Sequence, residues 1–401
     1  MYLKFESVSR PVLLAQGLKL LPHLAKLFAK WPFREVPGAG YGDPAINVLQ
    51  DSDGGVIQAP WIEPEQRYNN AADLAVSLSH HMTRCWMEEC ADLVGITAAA
   101  ARFGNDLAVF VGGPQSGKSL LVSCLSVSGH TVFADSILPI STATRQGIGL
   151  GIAPRLSLPL PDMFSGPLRT HVERCVDRCG PDLGYLRPHE ADMAAFGDRA
   201  SIGAFILLDR VNDSATALRP AAASTLLKRL LLGSFDALPS TRTTLALLHE
   251  MVTDTPCYRL TWSDPLEAVS ALRARLAIRR PPEADNDCRT GGRITALRRR
   301  ASGPRTPVGR RFRRVDGLDE RMVDGDMFLV DPGGEAIYHL NGLGTGLWRL
   351  LDGSYGLDDA VSVLGEAFPT VERTSIEGDV ARLIADLTDR GLLVEQPGEA
   401  G

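Results

Sequence analysis

The stretch Gly112–Ser119 reads GGPQSGKS and matches the phosphate-binding pattern G-x-x-x-x-G-K-[S/T]. It follows an apolar run at Leu107–Val111 and precedes a segment with helical periodicity, the strand–loop–helix setting that such a loop requires. Glycine lets the backbone curl so that successive N–H groups point at phosphate oxygens, and the following helix adds the positive end of its dipole. The pattern therefore predicts nucleotide binding on an α/β domain. The residues expected to contact the nucleotide are Gly112, Gly113, Pro114, Gln115, Ser116, Gly117, Lys118, Ser119 and Leu120.

Three side chains near this loop are predicted to carry the chemistry. The Lys118 ammonium would reach the β and γ phosphates of ATP or GTP, and the Ser119 hydroxyl would take one position on Mg²⁺. The stretch Ser128–Ile140 contains a short apolar strand that ends at Asp135. A strand parallel to the loop strand and beside it would bring this carboxylate to the phosphates, where it would bind Mg²⁺ or accept the proton of an attacking hydroxyl. The alternative is an acid that forms a turn at the end of a strand.

Length and composition set the class of protein. A chain of 401 residues exceeds the size at which a single core stops growing, so two domains are expected. The apolar fraction of 44% and charged fraction of 22% are typical of globular proteins, and a net charge of -6 gives no general attraction for nucleic acid or anionic membranes. Seven scattered cysteines without a signal-peptide pattern predict reduced thiols and a cytoplasmic location. No apolar run is long enough for stable membrane insertion.

The apolar segment Val12–Phe33 carries Lys19, Lys26 and Lys30 spaced along it. It is predicted to be a helix, interrupted by Pro22, that packs on its own domain. A helix lying on a membrane surface is the alternative.

Two groups of histidines and cysteines are candidate metal sites. Neither has the paired C-x-x-C spacing of a structural zinc site, so a metal is not favoured at either. The members of the second group recur every four residues and are predicted to share one helix face. The groups are His80, His81, Cys85 and Cys90, and His171, Cys175 and Cys179.

Apolar periodicity disappears from Pro281 to Pro307, where proline, glycine and arginine predominate. This composition predicts an exposed linker between two domains. Its arginines are expected to be solvated, because no aromatic residues are interleaved to stack on bases; contact with nucleic acid or an acidic peptide is the alternative. They are Arg289, Arg293, Arg298, Arg299, Arg300 and Arg305, followed by Arg310, Arg311, Arg313 and Arg314.

Before the linker, strand-like and helical stretches alternate, which predicts an α/β domain. The strands are predicted at Leu107–Val111, Thr131–Ala134 and Ile202–Leu208, and the helices at Ser119–Ser128, Ala221–Leu232 and Pro265–Ala277.

The loop followed by GHTVFAD resembles HPr serine kinase and its relatives, whose phosphate loop lies on a fold shared with phosphoenolpyruvate carboxykinase. The resemblance covers most of residues 80–280, with further similarity at Ile96–Gly113, Phe205–Arg210 and Cys257–Leu276. It implies a P-loop kinase domain in which Asp135 deprotonates the acceptor hydroxyl.

Two positions depart from that family. Ser136 replaces the second acid of the family's Asp-Asp pair, and Thr97 stands where the family has a histidine before the loop. The phosphorolytic reverse reaction is therefore not expected, and weakened catalysis is left open. Arg155 and Arg187 are candidates, from their positions, for balancing charge on the transferred phosphoryl group, with surface arginines as the alternative.

The segment after the linker is predicted to form a small winged-helix domain. Strands are predicted at Arg311–Val315, Asp326–Val330 and Glu335–Leu340. Two helices follow within Leu340–Phe368, split at Asp352-Gly353, and a third spans Ser375–Arg390. From this pattern alone, DNA binding by a wing is one interpretation.

Residues Arg310–Gln396 resemble the PqqD-like family, the element that captures leader peptides in the maturation of ribosomal peptides. The resemblance implies that a leader pairs with the strand around Ala336–Leu340 and packs on the third helix, whose acids disfavour DNA. The alternative is that the apolar helix face forms the core of the domain. The residues expected to bind the peptide are Ala336, Ile337, Tyr338, Leu340, Val380, Leu383, Ile384 and Leu387.

Together the two resemblances imply a kinase that acts on a Ser or Thr of a ribosomal precursor peptide of the lasso type. It would use ATP or GTP with Mg²⁺ and would bind no nucleic acid; the oligomeric state is left open. The alternatives are a non-catalytic, nucleotide-switched peptide carrier and a kinase of a folded HPr-like protein. The expected parts are a helical/β segment at 1–80 packed on the kinase domain, the kinase domain at 81–280, the linker at 281–307 and the peptide-recognition domain at 308–401.

Overall fold

The computed structural model describes residues 1–16, 19–37, 42–51, 54–63, 65–161, 166–180, 182–187, 192–235, 240–276, 311–351, 357–367, 369–370 and 372–396. The predicted linker lies outside these residues. The chain divides into two compact units: the first contains Met1–Pro239 and Glu250–Pro282, and the second contains Ser240–His249 and Glu283–Gly401. Both units combine helices with sheets, so the mixed α/β class predicted from the sequence is confirmed.

The first unit begins with a six-stranded sheet of order β3-β1-β2-β4-β5-β6. Its core contains Phe5, Phe28 and Trp31, whose rings meet edge to face, and the long helix α2 packs on it. Asn70 caps α2 by accepting the Asp73 N–H at 2.8 Å. The elements are β1 (Tyr2–Phe5), β2 (Val12–Ala15), α1 (Leu21–Leu27), β3 (Phe33–Val36), β4 (Ile46–Gln50), β5 (Gly55–Gln58), β6 (Gln66–Tyr68) and α2 (Ala71–Glu89).

The helix predicted over Val12–Phe33 is wrong, because this segment forms strand β2, the short helix α1 and the beginning of β3. Pro22 lies in the first turn of α1, where its missing N–H breaks no hydrogen bond, so it starts a helix instead of interrupting one.

A nine-stranded sheet forms the centre of the first unit. The elements that follow α2 are β7 (Leu93–Thr97), β8 (Ala99–Phe103), β9 (Asp106–Val111), α3 (Lys118–Val127), β10 (Val132–Ala134), β11 (Ile137–Ser141), β12 (Gln146–Ile148), β13 (Arg155–Ser157), α4 (Gly166–Cys175), β14 (Val176–Arg178), β15 (Leu183–Leu186), β16 (Arg199–Arg210), β17 (Ala217–Pro220), α5 (Ala223–Leu232), α6 (Thr241–Asp254), β18 (Cys257–Trp262) and α7 (Pro265–Leu276). The predicted strands β9, β10 and β16 and the predicted helices α3, α5 and α7 are confirmed, with every end within three residues of its predicted position.

The central sheet has the order β10-β8-β9-β16-β12-β11-β7, with β18 beside β16 and β17 beside β18. Strand β9, which leads into the phosphate loop, pairs in parallel with β16, and β16 pairs in parallel with β18. The prediction that Asp135 ends a strand beside β9 is partly wrong. Strand β10 runs in the same direction as β9, but β8 lies between them and pairs antiparallel with both. The Gly104-Asn105 turn marks the β8–β9 hairpin in the sequence, but nothing local to β10 shows that it pairs with β8 instead of β9.

A third sheet, three-stranded and of order β13-β15-β14, lies in the same unit. It begins with Arg155, whose register partner on β15 is Tyr185. Helix α4 ends at Cys175 and the chain continues as β14, so Cys179 does not share a helix face with His171. The predicted helical spacing of this group is therefore wrong.

The second unit contains two sheets, of order β20-β21-β22 and β19-β23. Its elements after residue 310 are β19 (Arg311–Arg314), β20 (Asp319–Val323), β21 (Asp326–Val330), β22 (Ile337–Leu340), α8 (Gly342–Leu350), α9 (Leu357–Ala367), α10 (Arg373–Asp389) and β23 (Leu393–Gln396). The three predicted helices are confirmed, whereas β20 and β23 were not predicted.

Two arginines at the end of the arginine run, beyond the predicted linker, belong to this fold. Arg314 donates from Nη2 to the Trp348 carbonyl at 2.6 Å and lies over the Trp348 ring, while Arg313 pairs with Asp316 at 3.0 Å. The expectation that the whole arginine run is solvated is therefore wrong for β19, because the cation at Arg314 stacks on a buried indole.

Among the described residues, six cysteines carry free thiols, and no group of His, Cys, Asp or Glu side chains has the arrangement of a metal site. No helix in the described part of the chain is long and apolar enough to cross a membrane.

Candidate functional sites

The loop between β9 and α3 has the backbone of an anion site. Gln115 and Gly117 adopt left-handed conformations, with φ of 63° and 85°. The Ser116 N–H donates to the Gly113 carbonyl at 3.3 Å and closes a tight turn. Left-handed residues alternating with right-handed ones turn successive N–H groups into one concavity, and α3 begins at Lys118 directly after it. The geometry therefore suits a phosphate chain.

Two packing contacts explain why glycine is needed in this loop. A Cβ on Gly117 would lie 2.5 Å from Cζ2 of Trp262, whose side chain is completely buried. A Cβ on Gly112 would lie 2.3 Å from the Ser116 hydroxyl oxygen. That hydroxyl is buried and makes no hydrogen bond to the described residues, so it is a further donor available to a ligand.

Lys118 lies between two charged side chains. Its ammonium donates to the carbonyls of Gly112 and Gly113 at 2.9 and 3.0 Å, so it folds back over the loop. Burial lowers the pKa of Lys118, the positive charge of Arg229 lowers this pKa further, and the Asp135 carboxylate opposes both effects. Burial and Arg229 thus disfavour the charged form of this lysine, and the negative charge of nucleotide phosphates would stabilise it.

Arg229 on α5 is a functional candidate that the sequence did not reveal. Its Nη2 atom lies 2.8 Å from the position that a Cβ on Gly113 would occupy, so the guanidinium covers the phosphate loop. A fork of guanidinium donors suits phosphate oxygens better than a second lysine would. The local sequence, an arginine on an amphipathic helix, gives no signal of this role.

Asp135 is held at the edge of the same site. It is 9% exposed, and its Oδ2 accepts the Arg155 N–H at 2.9 Å, with the Arg155 Nε at 3.9 Å. Its Oδ1 is buried and makes no hydrogen bond to the described residues. A buried carboxylate oxygen without a partner fits either a metal ion or a hydroxyl proton. With the Ser119 hydroxyl on the first turn of α3, it offers the oxygen donors that Mg²⁺ prefers.

The two arginines predicted to balance phosphoryl charge do not lie in the same place. Arg155 lies beside Asp135, but Arg187 is exposed, pairs with Asp177 at 3.4 Å and donates its N–H to Cys175. The two departures from the family pattern are neighbours, because Thr97 is the register partner of the residue after Ser136. Thr97 itself is opposite Ile137, and since successive residues of a strand point to opposite faces, this register does not place the Thr97 and Ser136 side chains on one face.

The candidate peptide site lies on the second unit. Among the described strands, β22 pairs with β21 alone, so its other edge is available to a peptide. Ala336 precedes this strand and instead forms two hydrogen bonds with Asp331. The Ala336 N–H donates to the Asp331 carboxylate at 2.9 Å, and the Ala336 carbonyl accepts the Asp331 N–H at 3.3 Å. Arg390, at the end of α10, lies over the Tyr338 ring and places the helix end against β22.

The four predicted helix residues do not play the same role. The side chains of Val380, Ile384 and Leu387 are at most 3% exposed and belong to the core of the domain, whereas Leu383 is partly exposed. With Ile337 and Tyr338, which are also partly exposed, Leu383 remains available to a ligand, while Leu340 is buried. The accessible groove is therefore narrower than the sequence predicted.

Comparison with known proteins adds the following. Residues 326–393 match the family model "Coenzyme PQQ synthesis protein D (PqqD)". The chain thus carries a PqqD domain at its C-terminal end, as the resemblance predicted. Among curated proteins, none matches this chain.

Two solved structures are similar to parts of the chain. TbiB1, in complex with the TbiA(beta) leader peptide, is 20% identical over 20% of this chain and 93% of its own, with a TM-score of 0.19. The Hpr(Ser) kinase/phosphatase from Coxiella burnetii is 13% identical over 45% of this chain and 94% of its own, with a TM-score of 0.24. At these scores neither likeness defines the fold, and the geometry of the chain itself carries the functional argument.

Proposed function

We propose that this protein is a cytoplasmic peptide kinase. It transfers the γ-phosphoryl group of ATP or GTP to a Ser or Thr hydroxyl of a ribosomally made precursor peptide whose leader is held by the PqqD domain. The observation that carries the proposal is the buried Oδ1 of Asp135, which has no hydrogen-bond partner among the described residues. The charge of this carboxylate acts on Lys118 of the phosphate-type loop. The proposed fold of the first unit is the HPr kinase/phosphoenolpyruvate carboxykinase-like type.

The loop, Lys118 and Arg229 would bind the triphosphate. Backbone N–H groups of residues 113–119 surround the phosphates, and the two cations neutralise charge that moves onto the leaving diphosphate. Ser119 would hold Mg²⁺ directly and Asp135 would hold it through a bound water, which leaves Oδ1 for the acceptor proton; the metal ion supplies charge neutralisation between the phosphate oxygens when it is bound.

Asp135 would act as the general base. Its Oδ1 takes the proton of the acceptor hydroxyl while that oxygen forms a bond to the γ-phosphorus. The bond between the γ-phosphorus and the bridging oxygen then breaks, and the nucleoside diphosphate leaves with the electron pair. The Arg155 N–H on Oδ2 fixes the carboxylate so that Oδ1 faces the acceptor. Ser136 supplies no second carboxylate, so Asp135 is the proposed base without a partner acid.

The PqqD domain would recognise the leader. In this proposal, which includes a winged-helix arrangement of the domain, the leader adds a strand to the free edge of β22 and contacts Tyr338 and Leu383. Because both sites belong to one chain, leader binding raises the effective concentration of the core segment at the phosphate loop. A lasso-type precursor is the proposed substrate class.

Intact-mass spectrometry tests this proposal. A candidate precursor peptide that carries a leader is incubated with the protein, Mg²⁺ and ATP or GTP, and fragmentation locates any added phosphate. We expect one phosphoryl group, lost in Lys118→Ala and Asp135→Ala while leader binding is retained. Lys228→Ala, an exposed neighbour of Arg229 on α5, is the matched control and should remain active. If nucleotide and leader bind but the peptide mass never changes, the protein is a nucleotide-switched carrier instead.

A further inference from the structure

The strand beside the phosphate loop ends in an arginine, Arg210. This strand, β16, pairs in parallel with β9, the strand that leads into the loop. Val111 at the end of β9 is the register partner of Leu207, so the last three residues of β16 continue alongside the loop itself. In agreement, a Cβ on Gly112 would lie 3.4 Å from the Leu208 Cβ. The end of β16 therefore packs against the phosphate loop.

The Arg210 side chain lies against the second half of the loop. Because successive residues of a strand face opposite sides, Arg210 shares a face with Leu208, whereas Asp209 faces away and pairs with Arg259 at 3.4 Å. The Arg210 Cδ lies 3.5 Å from the position that a Cβ on Gly117 would occupy. The Nε atom, which is bonded to this Cδ, is buried and has no hydrogen-bond partner among the described residues. The guanidinium therefore brings an unused donor to the loop.

Trp262 supplies a second unused donor at the same glycine. It is the register partner of Arg210 on β18, and paired residues of neighbouring strands face the same side of a sheet. Its Cζ2 atom would lie 2.5 Å from a Cβ on Gly117. Its Nε1 atom, bonded to the same carbon as Cζ2, is buried and has no hydrogen-bond partner in the described part of the chain. Buried N–H groups without a partner are uncommon, so two of them around one glycine indicate that a polar partner belongs there.

The charges around the loop show which kind of partner is missing. Lys118, Arg229 and Arg210 lie around it, and none of the three forms an ion pair with any residue that the structure describes. The nearby carboxylate of Asp135 is already shared with Arg155, whose Nε lies 3.9 Å from it. Three cations thus stand against one acid, and an anion with several charges would restore the balance. The fork of guanidinium donors is suited to phosphate oxygens.

The two guanidinium groups lie at different ends of the loop. Arg229 covers Gly113 at its beginning, whereas Arg210 lies against Gly117, where α3 starts. The charge of Arg229 acts on the Lys118 ammonium, and that of Arg210 does not, so Arg210 is the more distant of the two from this lysine. In loops of this pattern the backbone holds the α and β phosphates while the lysine reaches the β and γ phosphates. Arg210 therefore stands at the nucleoside end of the phosphate chain.

We propose that Arg210 binds the α-phosphate of the nucleotide, so that guanidinium groups from two separate elements hold the phosphate chain at its two ends. The inference rests on the nucleotide site of the proposed function and deepens it. Because the α-phosphate is present before and after transfer, Arg210 contributes equally to the affinity for the nucleoside triphosphate and for the diphosphate. It takes no part in the transfer of the γ-phosphoryl group.

Calorimetric titration of the full chain with ATP and ADP, and in parallel with GTP and GDP, tests this assignment. Arg210→Met keeps the apolar stem of the side chain and removes its donors. We expect the Kd values for triphosphate and diphosphate to rise by the same factor, about 10- to 100-fold. Arg219→Met is the matched control, because Arg219 is an exposed arginine on β17, and it should bind both nucleotides normally. An unchanged Kd for the diphosphate in Arg210→Met would overturn the proposal.

A second measurement on wild-type protein covers the case in which Arg210→Met fails to fold. Phenylglyoxal modifies accessible guanidinium groups, and mass mapping of peptides locates the adducts. We expect saturating ADP or GDP to protect Arg210, which is half-buried, and to leave Arg219 reactive. Equal modification of Arg210 with and without the diphosphate would contradict the assignment. Protection of Arg210 without phosphoryl transfer to the precursor peptide would reject the kinase function but keep Arg210 in the nucleotide site.

Discussion

Replacing Gly117 by alanine tests the packing that shapes the phosphate loop. The substitution has two separable costs. Gly117 has a φ of 85°, in the left-handed region, where an alanine lowers stability by about 1–2 kcal/mol. The new Cβ would also stand 2.5 Å from Cζ2 of Trp262, and the indole is fully buried and has no free space to move into. Overpacking of this kind costs about 1–3 kcal/mol more.

Gly129 provides a matched control just beyond the other end of α3. Its φ is 82°, nearly the same as that of Gly117, but a Cβ there would meet nothing within 4 Å. Gly129→Ala should therefore lower the free energy of unfolding by only the backbone contribution, about 1–2 kcal/mol. Gly117→Ala should lower it by about 2–5 kcal/mol. The difference between the two variants isolates the contact with Trp262.

Urea unfolding followed by tryptophan fluorescence measures the free energy of unfolding of both variants. Titration with a fluorescent ATP analogue measures their affinity for nucleotide. Gly117→Ala should also weaken nucleotide binding, because relief of the clash moves the backbone that precedes Lys118. Gly129→Ala should bind nucleotide normally. Equal losses of stability in the two variants would refute the proposed packing of Trp262 on the loop.

Three further predictions concern charge and burial. Arg229→Met should weaken nucleotide binding about 10- to 100-fold by calorimetry, since one charged hydrogen bond to phosphate is lost; unchanged affinity would remove Arg229 from the site. Burial holds the pKa of His80 at about 4 in the folded protein against an ordinary 6.5, so stability should fall as the pH drops from 6.5 towards 4, by at most about 3 kcal/mol. Urea unfolding of His80→Asn should show a shallower pH dependence, and an equal slope would contradict this assignment. In the PqqD domain, Leu383→Ser should weaken binding of a labelled leader peptide in fluorescence polarisation while lowering thermal stability less than Ile384→Ser does, because Leu383 is only partly buried against the core. Ile384→Ser should lower stability by about 3 kcal/mol because its side chain is 3% exposed, and the reverse pattern would show that the groove is wrongly placed.

The features that the sequence identified are those with short-range patterns. The phosphate loop, the strand before it and the helix after it follow from glycine positions and apolar runs within about 20 residues. The PqqD domain is recognisable in the same way, because its helices α8 to α10 carry continuous periodic patterns. The sequence pattern predicts a helix for the N-terminal segment and is wrong there, since its apolar residues are equally compatible with short strands when Pro22 opens a new element.

The site itself was decided by tertiary structure. Arg229 reaches the loop at Gly113, and Arg155 binds Asp135, through contacts between segments that are far apart in the chain. The pairing of β10 with β8 instead of β9 likewise depends on sheet assembly and has no distinctive local pattern. The sequence by itself determined which residue types can bind a phosphate and which segment can bind a leader. Tertiary packing alone decided which cations surround the loop, which groove residues remain accessible and which oxygen of Asp135 is left without a partner, because long-range contacts leave no periodic trace in the sequence.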